Sequence, residues 1–160
     1  MKKSKNLASR IQEVLLNGKW IANTNLQDQL RKTTWKQANY KIGDHNSIAE
    51  LTYHINYYVA GILNVLNGGD LEIRDKYSFE MEKIESENDW QNLIQSFISN
   101  AHSIIEKISN SSENQWSELF VKEEYGTYQR NIEGLIEHSY YHLGQISLLF
   151  KLINKATINT

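Results

Sequence analysis

The 160-residue sequence contains no cysteine and no proline. The absence of cysteine excludes disulfides, thiolate metal ligands and a cysteine nucleophile. The absence of proline removes the commonest interruption of a long helix, although average usage near ~5% would supply about eight prolines. Because 40% of the residues are hydrophobic, a chain of this length can bury a core without covalent crosslinks.

The sequence also lacks an excess of charge of either sign and a long apolar run. Its 17 lysines and arginines and 19 acidic residues give a formal net charge of -2, without the basic footprint that nucleic-acid binding requires. No segment approaches the ~18 uninterrupted apolar residues of a membrane helix. Near the start, Arg10 and Glu13 interrupt the apolar residues, which indicates an amphipathic helix instead of a signal peptide. We therefore expect a cytoplasmic protein with neither nucleic acid nor membrane as a partner.

Apolar residues recur at helical spacing along four long segments, and no convincing strand pattern is present. The segments are residues 5–17, 47–66, 88–108 and 128–154. The second begins with Ser47 and Glu50, the pattern of a capping box. The sequence therefore predicts an all-α fold: one domain over residues 1–160, built as a four-helix bundle with short extra helices in the connections.

Two connections between these helices are unusually long. Residues 18–46 predict short helical turns packed on the body, through Trp20, Ile21, Leu26, Leu30 and Trp35. Residues 68–87 show no clear period. If extended, they could span up to ~65 Å, more than the ~30 Å length of a 20-residue helix. The helices on either side of residues 68–87 can therefore run parallel, although the length does not require it.

Two of the five histidines, His138 and His142, lie four residues apart on the last predicted helix. At this spacing their Cβ atoms are ~5–6 Å apart, close enough for both rings to bind one metal ion. His54 occupies a comparable flank of the second long helix. If the two helices are neighbours, three imidazoles converge and leave one coordination position open, which is typical of a catalytic metal site.

The histidine pair, the other histidines and the nearby carboxylates also have interpretations that do not involve a metal ion. A histidine pair four residues apart also occurs by chance. His45 lies in a turn and His102 on the polar edge of a helix, so we expect both to be exposed. Glu50 and Glu137 are the nearest carboxylates in sequence and could orient an imidazole, although a solvated surface position is favoured for Glu137. The sequence has no Glu-x-x-His or His-Glu-x-x-His motif.

Residues 137–146, Glu-His-Ser-Tyr-Tyr-His-Leu-Gly-Gln-Ile, resemble the last-helix signature of the DinB/YfiT-like family of metalloenzymes. In that family a His-x-x-x-His motif is followed by Gly-Gln, and a histidine near the middle of the second helix supplies a third ligand. His54, within Leu-Thr-Tyr-His-Ile-Asn, occupies that position. The resemblance extends over essentially the whole chain in length and helix order.

The resemblance implies an up-down-down-up four-helix bundle and a divalent metal ion, with zinc or nickel as the typical occupant. The metal ligands would be His54, His138 and His142, completed by water or substrate. Many relatives are homodimers. Characterised relatives include thiol-dependent transferases and isomerases, so a small-molecule substrate and a low-molecular-weight thiol are the expected partners.

Three functional hypotheses follow. The first is a metal-dependent enzyme, a transferase or a hydrolase, whose catalytic residues beyond the metal ligands are unknown. The second is a non-enzymatic helical bundle that binds a small ligand or a protein partner, and the absence of a convincing acid/base pair keeps it open. In the third, the metal is purely structural and fills its coordination sphere with protein ligands.

Overall fold

The computed structural model describes residues 2–158. Over this range the chain forms six α-helices and no strand, so the predicted all-α class is confirmed. The helices are α1 (Lys3–Gln12), α2 (Leu26–Arg31), α3 (Trp35–Asn39), α4 (Ile48–Leu66), α5 (Glu87–Asn110) and α6 (Tyr128–Ile158). Among the described residues, no helix combines the length and apolar character needed to cross a membrane.

The ends of the long helices follow from local hydrogen bonding. Ser47 Oγ accepts a hydrogen bond from the Glu50 backbone N–H at 3.2 Å, and the Glu50 carboxylate accepts one from the Ser47 N–H at 2.7 Å. The predicted capping box therefore sets the start of α4. Helix α5 begins one residue before the predicted position, because Ser86 caps it by accepting a hydrogen bond from the Asp89 N–H. Helix α1 continues into a π-helical turn, Glu13–Asn17.

Each of the four longest helices packs mainly against two of the others, around one apolar core. Helix α4 packs against α5 and α6, and α1 packs against the same two helices. A polar contact lies within the α4–α5 interface, where Asn56 donates to Ser96 Oγ at 3.2 Å and accepts from Asn100 Nδ2 at 2.9 Å. The fully buried side chains of the core include Ile11, Leu15, Ile55, Phe97, Ile104, Ile132 and Ile146.

Residues 18–46 only partly follow the sequence prediction. Helix α2 buries Leu26 and Leu30 completely, as expected. Trp20 is 90% exposed and Ile21 65% exposed, so the expectation that both pack on the body is wrong. They lie in an irregular turn before α2, where no helical period directs a side chain towards the core.

The connection between α4 and α5 is held against α4 at two points. At Gly61 any Cβ would overlap the side chain of Ile73, so glycine allows this close approach. One turn earlier, the Tyr57 hydroxyl accepts a hydrogen bond from the Arg74 N–H at 2.8 Å and donates one to the Arg74 carbonyl at 3.2 Å. These contacts bring the following residues, including Asp75 and Phe79, over the middle of α4.

A folded loop precedes α6 and shapes the start of that helix. A single antiparallel bridge joins Leu119 to Thr127, and Gly126 adopts a φ of 70° that favours glycine. The side-chain amide of Asn131 donates to the Tyr125 carbonyl at 2.8 Å and to the Thr127 carbonyl at 2.9 Å. The loop therefore holds Tyr125 beside the first turns of α6.

Candidate metal centre

Three histidine side chains meet where α4 packs against α6. The Nε2 atom of His138 lies 3.0 Å from Nε2 of His54 and 2.9 Å from Nε2 of His142. His138 and His142 are one helical turn apart on α6, and His54 reaches them from α4. The condition stated from the sequence, that the helices carrying these histidines be neighbours, is met.

The three rings are arranged as ligands of a single cation. Each residue offers one nitrogen, and the three nitrogens lie within 4.8 Å of one another. An ion held at ~2.0–2.1 Å in tetrahedral geometry needs its nitrogen ligands about 3.3 Å apart, so small side-chain adjustments are sufficient. Three neutral imidazoles also form a donor set that divalent transition metals favour. The residues present fit a divalent metal ion.

The environment of the rings keeps them neutral, as metal ligands must be. His54 and His142 are buried, and His138 is partly buried. Burial, together with the neighbouring rings of His142 and His54, lowers the pKa of His138 to about 4, although the charge of Asp75 opposes the change. Burial likewise lowers the pKa of His54 and of His142 below the ordinary value of 6.5.

Gln145 orients the ring of His142. Its Oε1 atom lies 2.6 Å from Nδ1 of His142, and an amide oxygen can only accept a hydrogen bond. His142 therefore carries its proton on Nδ1 and presents the lone pair of Nε2 to the other histidines. The Gln145 amide nitrogen in turn donates to the Tyr141 hydroxyl at 3.2 Å. Partners of this type fix the orientation of metal-ligating histidines.

Aromatic side chains enclose His54. The ring of Phe79 stacks on the imidazole with 4.2 Å between the ring centroids and 10° between the planes. The Tyr58 ring packs edge-on against both His54 and His138, with centroid separations of 5.0 Å and 5.1 Å. Phe79 comes from the connection after α4, so this segment shields one face of the histidine cluster from water.

Asp75 supplies a carboxylate beside the cluster. Its Oδ1 atom accepts a hydrogen bond from the Tyr58 hydroxyl at 2.8 Å. Burial raises the pKa of Tyr58 to about 12, and the hydrogen bond to Asp75 and the charge of Asp75 contribute to the increase. The tyrosine therefore remains a hydrogen-bond donor at neutral pH. The negative charge of Asp75 favours a cation at the histidines. Asp75 and Phe79 were not identified from the sequence because residues 68–87 carry no periodic pattern that would place them.

The histidine cluster opens onto a cleft of about 520 Å³. His54 and His138 form one end of this cleft, and Tyr58 and Asp75 lie beside them. The remaining lining residues are Ile62, Tyr125, Arg130, Asn131, Gly134 and Leu135. A small molecule in this cleft can reach two of the three imidazoles.

The other residues considered from the sequence do not contact the cluster. His45 and His102 are exposed, as expected. Glu50 caps α4 and forms an ion pair with Lys41 at 2.8 Å, and Glu137 pairs with Arg130 at 3.0 Å on the surface. The suggestion that Glu50 orients an imidazole is therefore not supported, whereas the surface position favoured for Glu137 is found.

Comparison with models of known protein families gives no match, and comparisons with curated proteins and with solved structures give none either. The chemical interpretation of the site therefore depends on its geometry.

The lowered pKa values predict that the metal-free protein loses stability in mild acid. Between the ordinary pKa of 6.5 and the value of about 4 for His138, the unfolded chain binds more protons than the folded chain. The free energy of unfolding must therefore decrease as the pH falls through this window. Urea denaturation of chelator-treated protein at a series of pH values measures the effect. A His138→Gln variant should show a smaller dependence on pH, and an equal dependence in both proteins would contradict the prediction.

We expect substitution of Gln145 by methionine to weaken metal binding by about 10–100-fold, the usual cost of losing a partner that orients a ligand. Methionine retains the length of the side chain but lacks the amide oxygen that accepts the hydrogen bond from His142 Nδ1. Competition with a chromophoric chelator measures the affinity. Tyr141→Phe is the matched control, because it removes only the outer hydrogen bond to Gln145. If both variants bind metal as tightly as the original protein, Gln145 does not orient the ligand.

Proposed function

We propose that this protein is a divalent-metal-dependent enzyme whose ion is held by His54, His138 and His142. The supporting observation is the convergence of three Nε2 atoms at one end of an open cleft. A bound ion would act as a Lewis acid and lower the pKa of a coordinated water or thiol. Three protein ligands leave a position for that group, as in catalytic metal sites.

We further propose membership of the DinB/YfiT-like family, with an up-down-down-up bundle of α1, α4, α5 and α6. The hydrogen bond from Lys5 Nζ to Ser109 Oγ places the start of α1 beside the end of α5, which supports an antiparallel pair. Tyr53 lines a cavity with Asp89, Asn92 and Leu93 of α5. Asn56, further along α4, forms hydrogen bonds with Ser96 and Asn100, which lie further along α5. This order supports α4 and α5 running parallel.

On this proposal the reaction is the transfer of a low-molecular-weight thiol to a small electrophile, or a hydrolysis. The ion would be zinc or nickel, and the protein a cytoplasmic homodimer. Among this chain's own residues, Phe79 would limit access of water to His54. The Asp75 carboxylate would accept a hydrogen bond or a proton from a group that enters the cleft beside His138.

The test is turnover by protein purified without an affinity tag of histidines. The protein is supplied with small thiols paired with alkylating electrophiles and, separately, with ester substrates. We expect turnover that is lost on chelation and restored by zinc or nickel. If metal binds stoichiometrically but no substrate reacts, the enzymatic proposal fails and a ligand-binding bundle is favoured. If chelation lowers the melting temperature sharply and the ion has no exchangeable water, the metal is structural.

A further inference from the structure

Charged groups of both signs line the cleft beside the histidines. Asp75 lies at the histidine end, where its carboxylate bonds the Tyr58 hydroxyl. Arg130 is the only lysine or arginine among the residues that line the cleft. A ligand in this cleft would therefore meet the candidate cation site and a carboxylate together, and a guanidinium group nearer the start of α6.

The guanidinium group of Arg130 is available to a ligand. Its Nη1 atom bonds Glu137 at 3.0 Å, in an ion pair whose two side chains are each 60% exposed. An exposed pair of this kind contributes little to stability and can exchange partners. A guanidinium carries five N–H donors in a planar fork, so one contact leaves donors for a second anion. Asn131, beside it, already donates to the Tyr125 and Thr127 carbonyls.

The floor of the cleft between Arg130 and His138 is formed by a glycine inside a helix. Gly134 is one turn from each. Apart from its chain neighbours and the backbone of α6 itself, a Cβ placed there meets only Nη1 of Arg130 within 4 Å, at 3.9 Å. Packing within the protein therefore does not explain the glycine at position 134. Glycine also lowers the stability of a helix relative to alanine. Because Nη1 of Arg130 lies over Gly134, the guanidinium group is one helical turn, about 6 Å along α6, from His138, and no side chain at position 134 stands between them.

We propose that the substrate of the metal site carries an anionic group, such as a carboxylate, which Arg130 binds while the reactive end of the molecule lies at the histidines. Gly134 provides the clear floor between the two ends. The inference rests on the proposed metal-dependent function and specifies its substrate class: small molecules with an anionic group a few atoms from a metal-binding group. Arg130 is a specificity-determining residue.

The experiment uses the full chain loaded with Co²⁺, whose absorption changes when a thiolate binds. It compares two probes of matched length, 3-mercaptopropionate and 3-mercapto-1-propanol, which differ in having a carboxylate or a hydroxyl group. We expect the carboxylate probe to bind about tenfold more tightly, as one charge-assisted contact provides. Arg130→Met should abolish this preference while leaving binding of the alcohol probe unchanged.

Glu137→Gln is the matched control, because it breaks the same ion pair but leaves the guanidinium in place. It should keep or increase the preference for the carboxylate probe. The inference is overturned if the two probes bind the original protein equally, if Arg130→Met retains the preference, or if Glu137→Gln loses it to the same extent. If Co²⁺ does not bind, or if neither thiol changes its spectrum, the proposed function itself fails.

A second pair of variants tests the floor of the cleft. Gly134→Ala and Gly144→Ala both replace a glycine in α6, and a Cβ at Gly144 meets nothing within 4 Å. Both should raise the melting temperature, because alanine favours helix. Only Gly134→Ala should weaken binding of 3-mercaptopropionate, by roughly fivefold, because its methyl group enters the path of the ligand. Unchanged binding in Gly134→Ala would contradict the role given to the cleft floor.

Discussion

Replacement of His138 by alanine is expected to abolish stoichiometric metal binding. Its Nε2 atom is within 3.0 Å of the corresponding atom of both other histidines, so it occupies the centre of the ligand set. Loss of a residue that merely orients a ligand costs 10–100-fold in affinity, and loss of a ligand should therefore cost more than about 100-fold. Elemental analysis of protein purified without a histidine tag gives the metal content, and chelator competition gives the affinity.

His102→Ala is the control for this experiment. His102 is exposed on α5, so its removal should change neither the metal content nor the affinity. Far-UV circular dichroism of each variant checks that the helices are retained. A His138→Ala protein that is folded and still carries one ion per chain would contradict the proposed centre. If only His54→Ala retained full affinity, the ion would be held by α6 alone.

We expect Trp90→Ala to destabilise the protein by about 3–5 kcal/mol. Trp90 is fully buried at the start of α5, and its Nε1–H donates to the Thr33 carbonyl at 2.7 Å. The substitution removes a large apolar side chain and leaves that buried carbonyl without its donor. For a chain of this length the melting temperature should fall by about 6–20 °C. Urea denaturation followed by circular dichroism measures the change.

Trp20→Ala is the matched control, because the same side chain is removed from a position that is 90% exposed. Its effect should stay within about 0.5 kcal/mol, as is usual for surface substitutions. Trp90→Phe separates the two contributions, since it retains most of the apolar contact and should lose only about 1–3 kcal/mol through the unpaired Thr33 carbonyl. Equal destabilisation by Trp20→Ala and Trp90→Ala would show that burial does not distinguish these two tryptophans.

The long helices could be predicted because their signals are local. Apolar residues at a spacing of 3.6 identify one buried face, and the capping box at Ser47 marks the first turn of α4 from four consecutive residues. The pair His138 and His142 was likewise predictable, because residues four apart on one helix are neighbours whatever surrounds them. The bundle arrangement, the single domain and the dimer remain predictions.

Residues outside the periodic segments were harder to place. Trp20 was expected to pack on the body and is instead exposed, since apolar character by itself does not specify burial in an irregular turn. Asp75 and Phe79 lie beside His54 because Gly61 and Tyr57 hold the connection against α4. No pattern within residues 68–87 encodes that contact, because it depends on which surface the connection meets.

The sequence by itself determined the helical class, the starts of α4, α5 and α6 to within one residue, and a pair of imidazoles on one face of the last long helix, since each depends on interactions within a few residues. Only the tertiary structure decided that His54 completes the set and that Arg130 and Asp75 face the same cleft. Those side chains are far apart along the chain, and their meeting depends on how whole helices pack to bury their apolar faces, which local spacing cannot specify.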